Sequence, residues 1–80
     1  MSEPESNELE GVIRSVSRIN WQKTAMIISR SMRECEAKGI ETTYEEIAAA
    51  IILLCKNGNL ESVGDLSNWR HSEVRLPAGF

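Results

Sequence analysis

Leu9, Val12, Ile13, Val16 and Ile19 recur at intervals of three and four residues. That spacing is the period of an amphipathic helix. It predicts a first helix capped by Asn7, with Glu10 three positions on to complete a capping box. This helix runs to about Arg18 and turns at Ile19-Asn20. Asn20 is then the expected N-cap of a second helix, whose apolar face is Trp21, Ala25, Ile28, Met32 and Cys35. Gly39 stands where a left-handed residue ends a helix, and Ile40 follows as the apolar residue of a Schellman motif, in contact with Cys35. Thr43 and Glu46 form a second capping box, which opens a third helix. Its run from Ile47 to Cys55 is apolar nearly all round, the pattern of a central helix covered on several sides. Lys56 suits the negative end of the helix dipole, and Asn57-Gly58 closes the helix.

Beyond Gly58 the period changes to two. Ser72, Val74 and Leu76 fall on one side, and Trp69, His71, Glu73 and Arg75 on the other. Alternation of this kind predicts a strand. With turn chemistry at Gly64-Asp65 and Ser67-Asn68, residues 59–77 read as a β-hairpin that ends at Pro77. A hairpin alone is marginal in water, so it must lean on the helices, with Val74 and Leu76 inward. Arg75 is placed to pair with Glu61 across it, and Ser72 or Glu73 to accept bonds from loop or helix-start amides. The expected fold is mainly α (α+β): three helices followed by a C-terminal β-hairpin, winged-helix-like in outline. It forms a single domain over residues 1–80, with residues 1–6 frayed.

Composition narrows the function classes. At 80 residues with 41% hydrophobic and 26% charged side chains, the chain reads as an ordinary small globular domain with a thin core. Two isolated cysteines, Cys35 and Cys55, do not suit a secreted disulfide scaffold and are expected to be reduced and buried. The acidic, polar start is unlike a signal peptide. The longest apolar run falls well short of the roughly 20 residues a membrane span needs. The expected compartment is therefore cytoplasmic.

Net charge is −3, yet no acid occurs from Gly11 to Arg33, where Arg14, Arg18, Lys23, Arg30 and Arg33 lie. Such a basic face can steer an anionic partner; it can equally be the solvated outer face of two helices. In a winged-helix reading, Arg70, His71 and Arg75 would contact phosphate from the wing. Against DNA binding, the third helix carries Glu45 and Glu46, one basic residue and no long polar face. Trp69 beside Arg70, at a hairpin tip, suits a cation–π pair or an interface anchor, and equally the edge of the core, whereas Trp21, at a helix start, suits the core. The candidate partner-binding residues are thus Arg14, Arg18, Lys23, Arg30, Arg33, Trp69, Arg70 and Arg75. His71 with Glu73 or Asp65 does not make a catalytic triad, because no nucleophile motif accompanies it. One histidine and two distant cysteines do not match zinc spacing. No glycine-rich phosphate loop is present, so no cofactor is expected.

The block Gly58-Asn-Leu-Glu-Ser-Val-Gly-Asp-Leu-Ser-Asn-Trp-Arg-His-Ser-Glu-Val-Arg-Leu-Pro77 resembles the ending of a small bacterial protein family of unknown function, G-x-L-E-x-x-G-D-…-R-x-S-E-V-R-L-P. Trp21-Gln-Lys-Thr-Ala is similar to that family as well. The resemblance spans roughly residues 12–77 and is specific over the last twenty. It implies a bacterial cytosolic protein, helical with a C-terminal hairpin, and it brings no activity with it. Taken together, the expectation is a non-enzymatic binding module, monomer or homodimer, that recognises another protein, for example as a regulatory subunit or immunity-type antagonist. The alternative is a winged-helix-like DNA-binding regulator.

Overall fold

The computed structural model describes residues 6–78. The elements are α1 (Ser6–Val16), β1 (Gln22–Lys23), α2 (Thr24–Ala37), α3 (Tyr44–Lys56), β2 (Glu61–Val63) and β3 (Glu73–Arg75). Three helices meet a three-stranded antiparallel sheet of order β1-β3-β2, an α+β arrangement. The fraying expected of residues 1–5 lies outside the described residues, and Ser6 is already helical. Asn7 falls inside α1 instead of capping it, and its side chain is likewise outside the described residues.

Helix α1 buries Leu9, Val12 and Ile13, as its period requires, but stops at Val16, short of Arg18. Here Ser15 Oγ donates to the Val12 carbonyl at 2.6 Å, and Ser17 Oγ to the Ile13 carbonyl at 2.7 Å. Hydroxyls bonded back to the preceding turn compete with the backbone ladder. Ile19, in period with α1, therefore lies beyond it and is 69% exposed.

The largest departure from expectation comes next. Trp21–Lys23 do not begin α2; Gln22 and Lys23 pair with Val74 and Glu73 as an edge strand. The expected cap Asn20 has no role at the start of α2, which follows Lys23 without any side-chain cap. Its free N–H groups find other acceptors. Thr24 N–H donates to the Ser72 carbonyl at 3.0 Å, and Ala25 N–H to the Trp69 carbonyl at 2.9 Å. The first orphan donors of a helix need some acceptor, and here loop carbonyls take the place of a side chain.

The other two helix ends follow the sequence closely. Gly39 has φ of 72°, and Ile40 N–H bonds the Cys35 carbonyl at 2.8 Å while Gly39 N–H bonds that of Glu36, the two bonds of a Schellman motif. Thr43 and Glu46 form the reciprocal capping box of α3, each side chain accepting the other's backbone N–H. A second Schellman motif ends α3, with Gly58 at φ 80° and Asn59 N–H bonded to the Leu54 carbonyl at 2.8 Å.

The core joins Ile13, Ile27, Ile28, Cys35, Ile47, Ile51 and Leu54 from the helices to Leu60 and Val74 from the sheet side. Of the face expected for α2, Ile28 and Cys35 are buried, Ala25 and Met32 only half so, and Ile27 joins them. Val74 is fully enclosed, as its inward position demands, with Leu76 packed beside it. Helix α3 is not covered on all sides: Tyr44, Ile52 and Leu53 face solvent. Among the described residues, no helix is long and apolar enough to cross a membrane.

Candidate partner-binding surfaces

Strands β2 and β3 pair Glu61 with Arg75, Ser62 with Val74 and Val63 with Glu73. Alternation turns Val74 into the core and leaves Arg75 on the outer face. Its Nε donates to Glu61 Oε1 at 2.6 Å, as the hairpin reading anticipated. Its guanidinium also lies over the Trp21 ring, 4.3 Å from the centroid. Arg75 is thus held between a carboxylate and an indole. The cation–π pair expected of Trp69 and Arg70 is replaced by this one. Trp21 belongs to the sheet's outer face, and Trp69 packs half-buried against the core edge while its carbonyl caps α2.

Nine residues join β2 to β3, and they are internally braced. Gly64 has φ of +85°, and a Cβ there would come within 2.7 Å of the His71 carbonyl. Only glycine suits both conditions. Asp65 Oδ1 accepts the N–H of Ser67 at 2.9 Å and its hydroxyl at 2.7 Å. Those bonds, the hydroxyl's first, hold the Asp65 pKa below its ordinary value. The buried Ser72 Oγ lies 2.9 Å from the Asn68 carbonyl and 2.8 Å from Thr24 Oγ1. A carbonyl only accepts and a hydroxyl carries one proton, so Ser72 donates to Asn68 and accepts from Thr24. Lys23 Nζ donates to the Arg70 carbonyl at 3.2 Å. The distinctive C-terminal block therefore does architectural work: it caps α2, fills the sheet and orders its own loop.

The basic residues do not form one face. Arg14 is exposed on α1, and Arg18 lies past that helix rather than on it. Lys23 sits on β1 and not in a sector of α2. Arg70 is exposed on the loop between β2 and β3. Three of the set do come together: Arg18, Arg30 and Arg33 line a cleft of about 270 Å³ with Ser15, Val16 and Glu34.

The surface that sequence reasoning missed is apolar. Ile52 and Leu53 are 37% and 41% exposed on the outward side of α3, Tyr44 is 51% exposed at its first residue, and Val63 is 47% exposed on β2. Ala49, Glu45 and Lys56 are exposed on the same helix. The signal was present in the apolar run itself, which is wider than a helix on so thin a core can cover.

Both cysteines are free thiols. Burial pushes the Cys35 pKa up, helped by the negative fields of Glu34 and Glu8. Burial also raises that of Cys55, against a bond with Ser62. Neither thiol is primed as a nucleophile. Among the described residues, no three His, Cys, Asp or Glu side chains sit where they could hold a metal ion. Compared with known proteins, the chain matches no family model, no curated protein and no solved structure.

Proposed function

We propose that this chain is a non-catalytic module that binds another protein, and that the outward face of α3 is its contact surface. The observation that carries the reading is the exposure of the adjacent Ile52 and Leu53 on the outward side of α3. Interface centres are enriched in such side chains and poor in charge. An apolar helix face is a common way to engage a partner.

The element order helix, strand, helix, helix, strand, strand, with β1 against β3, agrees with a winged-helix outline. That agreement favours a second reading, DNA binding, in which α3 would enter the major groove and the loop between β2 and β3 would be the wing. The side chains argue against it. The exposed residues of α3 include Glu45, Ala49, Ile52 and Leu53, with Lys56 the only cation, so the helix offers little to a phosphate or a base edge. Arg75 is already engaged by Glu61 and Trp21, which leaves Arg70 as the wing's free arginine.

Affinity capture on tagged protein, with and without nuclease, separates the two readings. The protein-binding reading expects a stoichiometric partner that survives nuclease and is lost with Ile52→Asp plus Leu53→Asp, with circular dichroism showing that the variant keeps its helices. Nucleic acid in the eluate, a salt-sensitive affinity for duplex DNA and indifference to the α3 variant would overturn it in favour of the DNA reading.

A further inference from the structure

We propose that the cleft lined by Arg18, Arg30 and Arg33 binds a phosphate monoester. Three features of the cleft support this. First, the fold sets where its cations are attached. Arg30 and Arg33 are three apart on α2 and so neighbour each other on one helix surface. Arg18 projects from a segment tied to the sheet, its carbonyl accepting the Leu76 N–H at 2.7 Å.

Second, the cations are unmatched among the described residues. Among the described residues, none of the three arginines forms an ion pair. The one acid at the cleft, Glu34, lies 3.6 Å from Lys38 Nζ and shares its charge there. Ser15 spends its hydroxyl proton on the Val12 carbonyl, so the guanidinium groups are the cleft's free donors. Arg30 is half-buried, and its Nη1 is enclosed without a protein acceptor. A cation partly removed from water with no internal partner attracts an anion more strongly than a fully solvated one.

Third, the cleft fits the class of anion. A carboxylate brings one charge and two oxygens, which one guanidinium satisfies. A phosphate monoester brings roughly 1.5 to 2 negative charges at neutral pH and three terminal oxygens, enough for several guanidinium groups. A phosphodiester brings a single charge and two free oxygens. About 270 Å³ holds the phosphate and the start of its carrier. The site is separate from the α3 face and stands or falls independently of the protein-binding reading.

The test is a titration of the ¹⁵N-labelled protein, followed by NMR, with inorganic phosphate, glycerol 3-phosphate and a phosphoserine peptide, each against sodium chloride of equal ionic strength. Saturable shifts confined to residues 15–18 and 30–34 are expected, with affinity lost about tenfold in Arg30→Gln and in the more exposed Arg33→Gln. Affinity should also weaken as pH falls through the second phosphate ionisation at about 6. Tighter binding of the peptide would assign a protein source and tighter binding of glycerol 3-phosphate a small-molecule source; either supports the site. Shifts no larger than those from chloride would overturn the proposal, as would binding unchanged in both variants. A duplex oligonucleotide that occupies these residues more tightly than any monoester would replace the ligand assignment with a nucleic-acid backbone. The Ile52→Asp plus Leu53→Asp protein should bind phosphate normally, so a failed α3 surface cannot pass for a failed phosphate site.

Discussion

Helices α1–α3 are held to one another by aliphatic side chains: Ile13, Ile27, Ile28, Ile47, Ile51 and Leu54 are all essentially enclosed. The sheet side adds Leu60, Val74 and Leu76 to that core, and alongside them polar and cation–π contacts among Ser72, Thr24, Arg75, Glu61 and Trp21. Burial of hydrocarbon tolerates some change of shape; a hydrogen bond between buried groups tolerates little, because a lost partner leaves the other unsatisfied. Losses in the helical half should therefore scale with the volume removed, and losses in the sheet half with whether a buried partner is left unsatisfied.

Val74→Asp is the severest test of whether the halves are separable. It sets an unpaired carboxylate in the core at a cost of several kcal/mol, on the order of the whole stability of a small domain. Complete loss of the helical circular dichroism signal is expected; surviving helices would make the halves independent units. Ile51→Ala probes the helical half and should cost about 2–5 kcal/mol in urea denaturation, with cooperativity kept. Ser72→Ala removes the acceptor of the Thr24 hydroxyl and should cost about 1–3 kcal/mol. Adding Thr24→Val should recover part of that loss, since both partners are then gone; strictly additive losses would mean the pair is not coupled.

Smaller effects sharpen the comparison. Arg75→Gln should cost only about 0.5–1 kcal/mol, because its pair with Glu61 is partly exposed, and Trp21 fluorescence should change with it. The smallest effect is acid dependence at Asp65. Its folded pKa lies below the unfolded value, so its contribution is present above the ordinary pKa of 3.8 and is lost as pH falls through the depressed folded value. Asp65→Asn should flatten the stability profile in that acid window alone, as followed by thermal melts.

The parts legible in the sequence were those written in adjacent residues. Thr43 with Glu46, Gly39 with Ile40, and Asn57 with Gly58 each state a helix boundary locally, and the boundary lies there. Glu61 and Arg75 were placed opposite each other by strand alternation. What could not be read locally depended on distant groups. Asn20 looked like a cap because nothing nearby says that Ser72 and Trp69 supply the acceptors. Gln22-Lys23 is too short to show alternation, so no local pattern marks β1, and Trp21 has the spacing of the second helix's apolar face. The basic residues looked like one face because sequence spacing does not show α1 ending before Arg18. That same ending sets Arg18 beside Arg30 and Arg33.

Strand β3 lies between β1 and β2, and its register joins Gln22 to Val74 across most of the chain. A contact that closes so long a loop forms late, after local helical turns have appeared. The loop carbonyls that cap α2 belong to that same long-range contact, so α2 should gain the bonds of its first amides only when it closes. Substitutions in the β3 region should therefore speed unfolding far more than they slow folding. Unfolding rates of C-terminal-strand variants and folding rates of helix variants, read by stopped-flow fluorescence, should be the ones that move.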